Sequence, residues 1–125
     1  MIPAWLAVSL GGAAGTLLRY GVNQAVLSVV GSKGFAIGTL IVNALGCLVM
    51  GYLFGFFEQR TGLDPLLKST LTVGFLGGLT TFSSFSMDAL RIAENHSPLW
   101  AGAYVLGSVV GGLLLAASGL ALSRL

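Results

Sequence analysis

Hydrophobic positions fall into four long runs, at roughly 4 to 30, 35 to 57, 66 to 90 and 98 to 123, parted by short polar stretches such as "EQRTGLDPLLK" and "ENHSP". Each run is near or above the ~20 residues that a helix needs to cross the hydrocarbon core of a bilayer. A membrane barrel would instead show segments of about ten residues alternating in polarity, and no such alternation is visible. The pattern predicts an all-α integral membrane protein of four transmembrane helices, one domain over 1–125. Spans and short loops take up the sequence, so the expected function lies within the membrane part.

Composition agrees with that reading: 55% of the 125 residues are hydrophobic and 8% charged, with a mean hydropathy of +0.93, outside the usual mix of soluble domains. No Lys or Arg stands before Arg19, so the first run lacks the basic start of a secretory signal and is expected to be a retained helix. The formal charge of +2 reads as contact with lipid headgroups rather than with nucleic acid. Sorted by side of the membrane, Arg60, Lys68 and Arg124 face Lys33 and Arg91, joined by Arg19 if it snorkels outward. The positive-inside rule finds almost no asymmetry to act on. Insertion in both orientations is expected, and with it an antiparallel homodimer whose two-fold axis lies in the membrane plane.

Cys47 stands alone in mid-span and reads as a small packing residue, and His96 reads as a solvated loop histidine. Three glycine pairs, Gly11 with Gly15, Gly51 with Gly55 and Gly107 with Gly111, have the spacing that lets membrane helices approach closely. Arg19 continues the Gly11 and Gly15 face by one turn, toward protein or a water-filled vestibule rather than lipid. Its role there is functional or a structural anchor.

Polar residues form short stripes. Thr39 and Asn43 are one turn apart on the second helix, as are Tyr104 and Ser108 on the fourth. An amide in hydrocarbon is costly without partners, so the stripes read either as interhelical hydrogen bonding or as the lining of a path. The third run holds "GFLGGLTTFSSFS", with Gly74, Gly77 and Gly78 ahead of Thr80, Thr81, Ser83, Ser84 and Ser86. Neither glycine nor clustered hydroxyls favour continuous helix, and an interruption is expected near 77 to 80. Irregular backbone at membrane depth must be buried in protein or line a cavity. It exposes carbonyls for a cation and N–H groups for an anion.

No span carries a carboxylate near its middle; Asp88 and Glu94 come late, toward the expected membrane surface. A proton-coupled exporter of cations would need such an acid, and a cation pore acidic rings or a carbonyl filter. Hydroxyl, phenol and amide donors with one basic residue suit an anion. Phe82 and Phe85 fit, since the ring edge carries the positive part of the aromatic quadrupole. The serines have no His or Lys at membrane depth to act as base, so no enzyme is expected.

Taken in order, "GGAAGTLLRY" (11–20), "GTLIVNALG" (38–46) and "GFLGGLTTFSSFS" (74–86) resemble the Fluc, or CrcB, family of fluoride channels. The resemblance implies a dual-topology homodimer in the bacterial inner membrane, multi-pass, with two parallel fluoride pores and a broken third helix. It implies a structural sodium ion at the dimer centre, held by the carbonyls of Gly77 and Thr80. It places Asn43, Phe82, Phe85, Thr81, Ser83, Ser84, Tyr104 and Ser108 along the fluoride pore and Arg19 at the vestibule. Ser84 stands where the family motif commonly has threonine, and Gly112 where some relatives carry a hydroxyl. The implied activity is passive fluoride export that lowers fluoride toxicity; the alternative is a small proton-coupled multidrug exporter.

Overall fold

The computed structural model describes residues 2 to 60 and 62 to 125, without the Lys33 side chain. That side chain, counted in the charge tally above, lies outside the described part. Among the described residues the fold is all helical. Helix α1 (Ala4–Val30) ends on Gly31, whose N–H still reaches the Leu27 carbonyl and whose φ of 74° is a conformation open to glycine. A short turn at Ser32–Gly34 leads into α2 (Phe35–Glu58). The third helix, α3, is composite: Pro65–Ser69, a π-helical stretch Thr70–Leu76, then Gly77–Leu79. Asp64 caps its start, its carboxylate accepting from Leu66 N at 2.8 Å. Thr80 and Thr81 are extended, and α4 (Phe82–Asn95) follows. Helix α5 (Pro98–Leu122) starts with Pro98 in its first turn and Ser97 as cap.

The π-helical stretch has a local cause. Thr70 Oγ1 donates to Leu66 O at 2.7 Å and Thr72 Oγ1 to Lys68 O at 2.8 Å. Both hydroxyls bond to carbonyls one turn back, where they compete with the backbone ladder and widen it. This widening was not anticipated from the sequence.

Packing runs on glycine. A Cβ on Gly74 would stand 2.6 Å from the Val8 carbonyl oxygen, and one on Gly11 2.6 Å from that of Thr70. Gly15 meets the Phe75 carbonyl and Gly78 the Gly12 carbonyl, so α1 and α3 lie backbone to backbone. Helix α2 meets α5 backbone to backbone at Gly51 against Ala116 and Gly119 against Leu48, while Gly55 faces the Ser123 and Leu120 side chains. The Gly107 and Gly111 pair differs from the expectation: nothing lies within 4 Å of a Cβ at either. Gly74, Gly78 and Gly119 do the close packing instead.

Among the described residues only Val42, Leu76 and Leu79 form a buried apolar core, while large side chains such as Leu17, Leu106 and Leu113 stand outward. For an outward apolar surface this extensive the natural solvent is lipid. Helices α2 and α5 are long and apolar enough to cross a membrane.

Candidate functional site

The candidate site is built on the two-residue interruption between α3 and α4. Thr80 has φ −85° and ψ 155°, and Thr81 φ −151° and ψ 118°. Gly77–Leu79 stays helical, so the extended residues Thr80 and Thr81 fall at the end of the 77 to 80 stretch named from the sequence and one position past it. Six chain-local hydrogen bonds hold this geometry. Thr80 N and Thr80 Oγ1 both donate to Leu76 O, at 3.0 and 2.9 Å. Thr81 Oγ1 caps α4 by accepting from Ser84 N at 3.2 Å, and lies 3.2 Å from each of the Ser83 and Ser84 hydroxyls. Ser86 Oγ turns back to Phe82 O at 2.9 Å.

Two residues from other helices complete it. Asn43 on α2 donates from Nδ2 to Thr81 O at 3.1 Å and accepts at Oδ1 from Thr81 N at 2.8 Å. Its amide thus replaces both ladder bonds that Thr81 gives up, the satisfaction that buried backbone groups require. Arg19 on α1 donates from Nε to Gly78 O at 3.0 Å, and the Thr16 hydroxyl lies 3.5 Å from the same oxygen. The amide that would reach Gly77 O in a continuous helix, Thr81 N, is thus spent on Asn43. The one that would reach Thr80 O, Ser84 N, is spent on Thr81 Oγ1. The Gly77 and Thr80 carbonyls lose their helical donors.

Beside the interruption lies a cavity of about 400 Å³ lined by Asn43, Cys47, Thr81, Phe82, Phe85 and Ser108, among others. The Phe82 and Phe85 ring centres are 5.6 Å apart with planes tilted 38°, and Phe85 and Tyr104 are 5.4 Å apart with a 32° tilt. These three rings form one row. Phe85 is half-buried, whereas Phe82 is 79% exposed on the single chain. The Tyr104 hydroxyl and Ser108 Oγ are buried and have no hydrogen-bond partner among the described residues. Buried hydroxyls without partners are costly, and an acceptor brought between them would remove the cost.

Sequence reasoning placed Asn43, Thr81, Phe82, Phe85 and Ser108 on one lining, and the structure brings these five to the same cavity. Tyr104 joins them through its ring contact with Phe85. Ser83 is exposed, and Ser84 sits under the Thr81 cap. Cys47 and His96 gain a setting beyond their sequence reading, and Asp88 differs from its own. Cys47 is part of the cavity wall, and a Cβ at Gly112 would come 3.3 Å from its sulfur. Asp88, expected toward the membrane surface, is only 5% exposed; it lies beside Thr39 and Tyr104, with Oδ2 unpartnered. The signal was in the register: Asp88 follows Phe85 by three positions and shares its inward face. His96 is an exposed turn residue, as its sequence reading has it, and it also lines a second cavity with Trp100 and Tyr104.

This fold and site define a small helical membrane protein built around a polar interruption with a donor-rich cleft. A family model described as CrcB-like protein, Camphor Resistance (CrcB), matches residues 6–120, and the chain belongs to that family. The fluoride-specific ion channel FluC of Stutzerimonas stutzeri (strain A1501) is 51% identical over 125 residues, covering 100% of both chains. Proteins of the same name from Pseudomonas fluorescens (strain Pf-5) and Azotobacter vinelandii (strain DJ) are each 46% identical over 125 residues, again 100% of both chains.

Proposed function

We propose that this protein is a fluoride-selective channel, not an enzyme, through which fluoride leaves the bacterial cytoplasm passively across the inner membrane. The observation that carries the reading is the pair of buried, unpartnered hydroxyls of Tyr104 and Ser108 along the ring row of Phe85 and Phe82. The name of its full-length relatives supports it. Fluoride is small and strongly hydrated, so a selective passage must replace its water with donors at a spacing that larger halides cannot use. Asn43 keeps one Nδ2 proton free after bonding Thr81 O. Thr81, Ser83 and Ser84 add hydroxyls, and the edges of Phe82 and Phe85 line the narrow part. Arg19, with one of its five donors on Gly78 O, has the rest for an anion in the vestibule.

The working unit in this reading is an antiparallel homodimer of four-span subunits, with the interruption at membrane depth and two parallel pores. The 79% exposure of the Phe82 ring supports it, because a phenylalanine in a pore wall needs a second surface to cover it. A structural sodium ion fits the donor set: the Gly77 and Thr80 carbonyls have lost their helical donors, and hard oxygens suit a hard cation. Gly77 and Thr80 of both subunits would hold it, and it would tie the two interruptions together.

Liposomes loaded with fluoride and bearing the purified protein should empty, as read by a fluoride electrode, while chloride-loaded ones should not. Absence of fluoride efflux from vesicles that contain folded dimer would sink the reading.

A further inference from the structure

The second cavity, of about 530 Å³, lies where α2 begins and where α4 turns into α5, with Phe35, Ile92, His96, Trp100 and Tyr104 in its walls and the small Ala36 and Ala103 between them. Its volume falls within the roughly 300–1,000 Å³ of small-molecule sites, far beyond what one halide fills. The walls are apolar except for the His96 ring and the Tyr104 phenol. Arg91 stands at the edge, its guanidinium 5.8 Å from the centre of the Phe35 ring. No carboxylate stands within ion-pair distance of Arg91 among the described residues, although its charge reaches the buried Asp88. Trp100 is 67% exposed beside the mouth, as tryptophan is at membrane–water boundaries.

We propose that this cavity is a binding site for an anionic phospholipid, its phosphate held at the rim by Arg91 and His96 and one acyl chain laid along Phe35, Ile92 and Trp100. Charge and polarity select this occupant together. The rim supplies guanidinium and imidazole donors, the matched partners of a phosphate, while the interior offers methylene chains an apolar wall. The helix ends around the cavity put that rim where a chain leaves the bilayer, the depth at which lipid phosphates sit.

Native mass spectrometry of the intact purified protein in mixed phosphatidylglycerol and phosphatidylcholine micelles tests this. Wild type should retain phosphatidylglycerol at least fivefold over phosphatidylcholine. Arg91→Gln with His96→Gln should bring the ratio to about one, whereas Arg60→Gln with Lys68→Gln, from the opposite loop, should leave it unchanged. Ala103→Trp, which fills the cavity, should remove the retained lipid while size-exclusion shows an unaltered assembly. Excess inorganic phosphate should not displace the lipid, because it cannot use the apolar walls. Equal preference in wild type and in the Arg91 and His96 variant, retention in Ala103→Trp, or release by free phosphate each overturns the proposal.

Discussion

The Asn43 side chain and the Thr81 main chain bond at two points, 3.1 Å from amide to carbonyl and 2.8 Å from N–H to amide oxygen. The pairing copies one rung of a sheet, and it lets the chain leave the helix without orphaning Thr81. Asn43→Ala removes both bonds and leaves a part-buried N–H and C=O without partners, a cost of about 1–3 kcal/mol for each group. The expected outcome is a lowered unfolding midpoint in detergent together with fluoride efflux reduced at least tenfold. Wild-type stability in that variant would remove the clamp from the account.

Arg19 acts on the same interruption from the opposite side, through Nε on the Gly78 carbonyl. A contact made by a planar fork differs from one made by a point charge. Arg19→Lys keeps the charge and loses the Nε geometry, so it should impair efflux nearly as much as Arg19→Ala. Full activity in Arg19→Lys would assign the residue a purely electrostatic part.

The ring row predicts a selective defect. Phe85 touches both Phe82 and Tyr104, so Phe85→Ile should lower fluoride flux more than tenfold while the protein still elutes as an unaltered assembly. Phe82→Ile should do the same. Efflux at wild-type rates in both variants would contradict a role for the ring edges.

Glycine positions separate into two kinds that a stability series can tell apart. Gly15→Ala forces a methyl group into the Phe75 backbone and Gly119→Ala into the Leu48 backbone. Overpacking of this sort costs about 1–3 kcal/mol. Gly107→Ala meets open space, and in a helix interior alanine gains about 0.5–1 kcal/mol over glycine. Thermal unfolding should therefore fall for the first two and hold or rise for the third.

Much of this was legible from residue order. Helix limits followed from apolar runs, because the lipid requirement writes itself as run length, and the lining residues followed from four-residue spacing on α2 and α5. The position of the extended residues was not legible to the residue. Glycine is a poor helix former, yet Gly77–Leu79 remains helical because α3 leans on α1 there through Gly78 and Gly12. The departure occurs where Asn43 offers Thr81 an alternative partner, a long-range bond that no local propensity encodes. The burial of Asp88 was missed for the same reason, since it depends on what neighbouring helices present, whereas the π-helical widening at Thr70–Leu76 goes with local threonine bonds that the sequence reading did not weigh. The idle Gly107 and Gly111 pair carries the spacing of a packing motif without a partner on this chain.

Selectivity is the central claim, and reversal potential reads it most directly. With purified protein in a planar bilayer, a tenfold fluoride gradient and equal chloride on both sides, current should reverse close to the fluoride equilibrium potential, about 59 mV from zero. Reversal near zero, with current that follows an imposed chloride gradient instead, would contradict the account.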